Sequence, residues 1–353
     1  MDSAHPSALP LVTHDLPGVG GEIRSEPGHF VVEEIPLYDA CGEGEHVYVR
    51  LTREGWTTRE VKLGLAELFG LREVDVGCAG MKDKHARATQ TFSLLLLDID
   101  EETMARRIEG ELPVEVEWVC RHRNKLRAGH LLGNRFRVVV LHPEPGAVPR
   151  AAAIAQALQE QGLPNFYGVQ RFGFGGDNAV RGRQVLFGSG PRKRWLRRFL
   201  LRAYQSALFN AWLVERMQLG WFQQILVGDI AKKTDTGGLF EVEDASVDGP
   251  RFQRGEITYT GPIYGYRMLW ANGRPGEMER MLLDEEGVTQ GLLKRARLDG
   301  SRRPARLLVD DLKIESHLDE LLFTFTLPKG AYATTLLREF MKTETEFEHN
   351  DVC

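Results

Sequence analysis

The feature that most constrains this chain is the run from Thr57 to residue 97, where a helix with both ends marked leads into a loop and then a strand. Thr57-Thr58-Arg59-Glu60 is a capping box, with Thr57 at the N-cap and Glu60 three residues on. Val61, Leu65, Leu68 and Phe69 recur at helical spacing, and Gly70 supplies the stop. A helix is therefore expected at 58–69, a short strand at 74–77 and another at 91–97. Between them lies Gly80-Met81-Lys82-Asp83-Lys84-His85-Ala86-Arg87, one acid among several cations on a loop held by rigid elements. Functional side chains are disproportionately found on such loops. A carboxylate in a basic setting can act as nucleophile or electrostatic stabiliser toward an anionic substrate. The same residues also describe a plain surface turn with solvated charges.

The flanking patterns extend this element into a domain. Residues 28–37 and 46–52 read as strands, with Val47, Val49 and Leu51 alternating with Tyr48, Arg50 and Thr52. The polar connector between them suggests a hairpin. Further strands are expected at 114–120 and 136–141, and helices at 98–109 and 148–161. Strands with interspersed helices and frequent alternation indicate an α+β fold with a mixed, largely antiparallel sheet. From about residue 162 the character changes. Glycines cluster between Gly168 and Gly190, a basic amphipathic helix is expected at 194–218, and Gly-Pro turns separate short strands. Strand patterns resume at 307–312 and 321–327, and a short helix at 333–343 closes the chain. We read residues 1–20 as a flexible leader, 21–160 with 309–353 as one domain, and 161–308 as an inserted second domain.

Composition limits the function classes. With 353 residues, 42% hydrophobic and 27% charged, the chain is of ordinary globular type. Its net charge of −5 means that any nucleic-acid contact must use local patches. Three such patches stand out: Arg121 to Arg127, Arg192 to Arg202, and Lys294 to Arg306. Cys41, Cys78, Cys120 and Cys353 form no CxxC pair and have no zinc-like spacing to histidines, so reduced thiols in a cytoplasmic protein without a structural metal are expected. No run approaches the length of a membrane span.

Phosphate-loop and nucleophile-elbow signatures are missing. Arg171-Phe172-Gly173-Phe174-Gly175-Gly176 has the wrong spacing for a dinucleotide loop, and no cofactor is expected. Asn165-Phe166-Tyr167-Gly168-Val169-Gln170-Arg171-Phe172-Gly173 interleaves aromatics, amides and arginine, a mixture suited to stacking on bases and bonding to base edges and phosphates. It also suits aromatics plugging a buried seam. Gly133-Asn134-Arg135-Phe136-Arg137 repeats the mixture in miniature, and Leu327 to Thr334 sets Tyr332 at a helix start.

These stretches resemble the TruD family of tRNA pseudouridine synthases. The blocks that carry the resemblance fall in family order between about Phe30 and Phe340. They include Phe30-Val31-Val32-Glu33-Glu34, the Gly80-Met81-Lys82-Asp83-Lys84-His85-Ala86 loop, Gly129 to Phe136, Asn165 to Gly173, Tyr204-Gln205-Ser206, and Leu327 through Glu339. The resemblance implies a pseudouridine synthase domain interrupted by a family-specific inserted domain. It implies isomerisation of a uridine in tRNA, typically uracil-13 in the D arm, with neither cofactor nor metal. Asp83 is then the nucleophile, by attack at C1′, attack at C6, or elimination through a glycal. Phe30, Asn134 and Tyr332 match nucleotide-contacting positions, with Phe136 as a packing neighbour. Arg24 and Lys82 are the candidate partner cations of Asp83, Arg24 being preferred. Asn165, Gln170, Arg171, Arg197 and Arg198 are expected at the RNA, and the protein is expected to be a monomer. A non-catalytic tRNA-binding protein and an N-glycosidic hydrolase acting on RNA are the competing readings.

Overall fold

A computed structural model of the chain describes residues 9–23, 26–96 and 99–342. In chain order the strands and helices are β1 Phe30–Pro36, β2 His46–Arg53, α1 Thr58–Leu68, β3 Gly77–Cys78, β4 Arg87–Leu95, α2 Glu101–Glu111, β5 Val114–His122, β6 Leu131–Leu141, α3 Ala147–Gln161, β7 Leu163–Pro164 and α4 Asn178–Leu186. They continue with α5 Arg194–Gln218, β8 Ile230–Lys233, β9 Leu239–Glu241, α6 Ala245–Gln253, β10 Ile257–Ile263, α7 Gly273–Glu285, α8 Gln290–Arg295, β11 Ser301–Pro304, β12 Arg306–Leu307, β13 Lys313–His317, β14 Glu320–Pro328 and α9 Ala333–Met341. The architecture is α+β, as expected. The chain divides into two compact units. One holds Val19–Ala151 with Asp311–Gly330, the other Ala152–Asp310 with the described parts of 1–18 and 331–353.

The first unit is built on an eight-stranded sheet of order β13-β14-β6-β1-β4-β2-β5, with β3 paired to β4. Only the β1–β4 pairing is parallel. The hairpin expected between residues 28–37 and 46–52 does not form, because β4 lies between β1 and β2 and pairs with both. The alternation that defines each strand carries no information about which neighbour it pairs with. The expected strand at 74–77 is instead a 3-10 turn, Glu73–Asp75, followed by the two residues of β3.

Side-chain alternation gives this sheet two unlike faces. Directly paired residues share a face. Arg53, Ala88, Val32, Phe136 and Phe325 therefore form one row across five strands. Glu34, Asn134 and Leu327 form part of the next row. At the far end of this face Val47, Val49, Leu51, Phe92 and Leu94 bury against Val61 and Leu65 of α1 and Met104 and Ile108 of α2. Each such buried side chain contributes about 1.5–3 kcal/mol. Thr57 caps α1 with the expected reciprocal box. The opposite face is a lattice of ion pairs, in which Arg50 bonds Glu33 and Glu117, and Arg87 bonds Glu54 and Glu115. Gly133 sits where β6 crosses β14, and a Cβ there would run into the Leu327 carbonyl.

In the second unit α5 runs through two cores. Its Leu200, Tyr204 and Leu208 pack with Tyr264 and Leu293, while Phe209, Trp212 and Leu213 pack with Tyr259, Phe252 and Ile257. The small sheet has order β11-β10-β8-β9. Arg216 and Asp229, both buried, form a two-pronged ion pair at 2.7 Å that fixes the C-terminal end of α5. The stretch read as a flexible leader is seated here from Leu9 onward. Leu9 joins the core, and Thr13 bonds the Glu339 carboxylate of α9 at 2.7 Å through its hydroxyl and 3.1 Å through its N–H. A buried carboxylate needs such donors, and that need orders the segment.

Candidate active site

The site is assembled on the apolar face of the first unit. β3 and β4 are joined by the loop 79–86, and its residues alternate in direction. Met81, Asp83 and His85 are exposed, whereas Lys82 and Ala86 are buried. The cationic cluster read from the sequence is thus split, with Lys82 turned inward.

Three inward anchors hold the loop. The Lys82 ammonium donates to the Glu34 carboxylate at 2.8 Å, with the two side chains 5% and 1% exposed. Gln90, fully buried on β4, donates through Nε2 to the Gly80 carbonyl at 2.5 Å. Arg53, the last residue of β2, spreads its guanidinium under the loop. Nη2 reaches the Lys82 carbonyl at 3.2 Å and Thr58 Oγ1 at 3.1 Å, and Nη1 reaches the Asp83 carbonyl at 3.4 Å and the Trp56 carbonyl. Thr58 Oγ1 is a hub. It accepts from Arg53 and from the Lys82 N–H at 2.9 Å, and donates to Gln90 Oε1 at 3.1 Å. Its three partners saturate one hydroxyl. The capping box that starts α1 therefore also places the hydroxyl that fixes the backbone beside Asp83.

Burial lowers the Arg53 pKa to about 10, while the negative charges of Asp83 and Glu60 oppose that shift. At neutral pH Arg53 is still a cation. The arrangement fixes the backbone at Asp83, an exposed residue, over the positively charged Arg53.

Asn134 on β6 lies directly across from Glu34. Its Oδ1 is shielded from solvent and has no hydrogen-bond partner among the described residues. A buried amide oxygen without a donor is uncommon and marks a position where a ligand can supply one. Phe30 and Phe136 are 3% and 7% exposed, with ring centroids 6.1 Å apart in an edge-to-face arrangement; Phe136 also stacks on Phe325 at 5.3 Å. They form an apolar base on the same face, Phe136 two positions along β6 from Asn134 and Phe30 four along β1 from Glu34.

The structure brings Asp83, Lys82, Phe30, Phe136 and Asn134 into one unit. Arg24, the preferred partner cation, lies outside the described residues. Lys82, the second candidate, is committed to Glu34. Arg53, Glu34 and Gln90 were missed. The signal for the first two was present: Arg53 continues the inward phase of Val47, Val49 and Leu51, and Glu34 continues that of Phe30 and Val32. A charged residue at an apolar phase needs a buried partner.

The remaining predicted residues belong to the second unit. Asn165 is not free for RNA. It is 5% exposed, its Oδ1 accepts from Arg303 at 2.7 Å, and its Nδ2 donates to the Pro304 carbonyl at 2.7 Å. Burial demands that an amide be satisfied internally, so Asn165 organises its own loop. Tyr332 stands at the N-cap of α9 with its ring 6.0 Å from that of Tyr167. Gln170 accepts from Thr334 at 3.4 Å, and Arg171 donates to Ser206 at 3.1 Å. Partial burial, with Arg198 and Arg171 nearby, holds the Arg202 pKa below its usual value, so these three guanidiniums make one cationic cluster. Arg197, partly buried, and Arg198, exposed, lie on the first turn and a half of α5.

Comparison with known proteins matches this geometry to one family. The sequence model of tRNA pseudouridine synthase D (TruD) matches residues 9–189 and 192–340. A tRNA pseudouridine synthase D of Thermus thermophilus is 45% identical over 340 residues, 96% of this chain and 94% of that protein. One from Anaeromyxobacter dehalogenans is 44% identical over 352 residues, 97% of this chain and 99% of the relative. The crystal structure of a putative TruD from Methanosarcina mazei superposes with a TM-score of 0.76 at 25% identity, covering 96% of this chain and 97% of that one. The chain belongs to the TruD family of tRNA pseudouridine synthases.

Proposed function

We propose that the protein converts uridine to pseudouridine at position 13 in the D arm of tRNA, with Asp83 as nucleophile. The observation that carries this reading is the exposed Asp83 on a backbone clamped by Arg53, Thr58 and Gln90. In the reaction the N1–C1′ bond breaks, the uracil turns over, and C5 bonds to C1′. N1 gains a proton and C5 loses one, so atoms and electrons balance within the substrate and no cofactor or metal takes part. Asp83 holds C1′ or C6 covalently, or removes a sugar proton on a glycal route, while the base turns. The uridine leaves the stack to reach it.

Asn134 fits the base-holding role. Rotation of uracil about its N3–C6 axis exchanges N1 with C5 and O2 with O4, and leaves N3–H in place. An amide oxygen that accepts from N3–H therefore keeps its bond before and after the turn. Phe30 and Phe136 supply the apolar floor, Tyr332 contacts a nucleotide, and Gln170, Arg171, Arg197 and Arg198 meet the RNA backbone. The protein acts as a monomer in the cytoplasm, where its substrate is.

The test is turnover of a tRNA transcript tritiated at uracil C5. The proposal expects tritium release with pseudouridine mapped to position 13. Free uracil as product would show a hydrolase, and tight binding without either product would show a binding protein.

A further inference from the structure

Within the first unit, the 37–45 connector and the β5–β6 loop border an open cleft of about 490 Å³, lined by Tyr38, His122, Asn124, Lys125, Arg127 and His130. Its volume lies in the range of about 300–1,000 Å³ found for small-ligand sites. None of the lining residues is acidic. Two planar rings form a wall, with Tyr38 and His122 nearly parallel at 5.2 Å and 11°. The wall is rigid. Tyr38 Oη and His130 Nδ1 are 2.7 Å apart, and Tyr48 packs behind His122 at 4.5 Å and donates to the Asn124 carbonyl at 2.9 Å. The Cys41 N–H donates to His122 Nδ1 at 3.2 Å, so this ring is held as an acceptor at that nitrogen. Lys125 lies along the floor, bonded to the Val74 carbonyl, and Arg127 is exposed with no carboxylate in ion-pair range among the described residues.

Stacking rings, an amide edge and cations on a lining that holds no acid are what an RNA nucleotide requires. The cleft is also joined to the reaction centre. The Gly129 N–H donates to the Ala79 carbonyl at 2.7 Å, four residues before Asp83, and the Leu126 N–H donates to Ser93 Oγ on β4 at 3.0 Å. A ligand that orders the β5–β6 loop thereby orders the root of the catalytic loop.

We propose that this cleft is a second RNA subsite, which takes one tRNA nucleotide other than the reacting uridine. The phosphate lies on Arg127 and Lys125, and the base lies against the Tyr38–His122 wall with its edge toward Asn124. The inference rests on the reading of the protein as a tRNA-modifying enzyme. Its occupant is tRNA and not a free nucleotide, because the direct tie to the catalytic loop gives a bound chain a route to the chemistry.

The experiment uses the full chain and a tRNA transcript. Wild-type turnover first tests the underlying reading by itself. Arg127→Glu, at an exposed position, is then expected to raise KM about tenfold and to reduce the salt slope of binding by about 1. The loss should fall on KM far more than on kcat. Ultraviolet cross-linking of wild-type protein to the same tRNA, read by peptide mass, should attach RNA within the segments that carry Tyr38 and His122. Unchanged KM and salt slope in the variant, with cross-links confined to other segments, would overturn the subsite while leaving the synthase reading intact. Competition of tRNA by millimolar uridine monophosphate in wild type, lost in Arg127→Glu, would show a free-nucleotide site and overturn it as well.

Discussion

Replacing Lys82 by Met probes its structural duty in the loop that carries Asp83. The substitution keeps the length of the stem and removes only the charge. Lys82 and Glu34 are 5% and 1% exposed and 2.8 Å apart. Without the ammonium, the Glu34 carboxylate keeps one hydrogen bond among the described residues, from the Thr91 N–H at 3.4 Å. Removing one partner of a buried pair leaves an uncompensated charge and costs about 3–5 kcal/mol. At about 1.4 kcal/mol per factor of ten, the folding constant of the first unit drops by two to three and a half orders of magnitude. A second substitution, Glu34→Gln, removes the stranded charge, and the double variant should recover more than half of the loss. Urea unfolding followed by circular dichroism, with slopes compared between variants, measures each value. A loss below about 1 kcal/mol in Lys82→Met, or a double variant no more stable than the single, would refute the claim that Lys82 anchors the loop through Glu34.

Two further outcomes concern Arg53 at this site and two histidines at the far end of β2. Arg53→Gln should lower kcat more than it raises KM, with Arg53→Lys recovering part of the rate, because a single ammonium can still reach a loop carbonyl but cannot fork between two; steady-state kinetics on tRNA would check this, and equal rates for both variants would contradict it. Burial lowers the pKa of both His46 and His122 from the usual 6.5, aided at His122 by Arg123 and at His46 by Lys125. A depressed folded-state pKa gives stability that is present above about 6.5 and lost as pH falls through the folded value, so unfolding free energy should decline below pH 6.5, and less steeply in His122→Gln.

The elements were largely legible because they are locally encoded. The capping box at Thr57, the helix at Arg194–Gln218 and the strand alternation of β2 and β14 all appear where the pattern put them. What was not legible depends on contacts distant in sequence. The β1–β2 hairpin failed because β4, from 34 residues beyond β2, takes the place between them. Asn165 looked like an RNA ligand because an amide among aromatics has one appearance whether it is exposed or buried. Its true partner, Arg303, is 138 residues away. The division of the Asp83 loop into inward and outward residues was readable in principle, since Lys82 faces a carboxylate at an apolar phase of β1. The network of Arg53, Thr58 and Gln90 was not, because a polar hub is defined by its partners and not by its spacing.

On the proposed reading, Asp83 performs the chemistry on a base held by other residues. Asp83→Asn keeps the shape of the side chain and the carbonyl contact with Arg53, and removes the nucleophile. Turnover of C5-tritiated tRNA should fall by at least about 10⁴-fold while the Kd for tRNA stays within about threefold of wild type. Residual turnover within tenfold of wild type, or a loss of activity matched by an equal loss of tRNA affinity, would contradict the account.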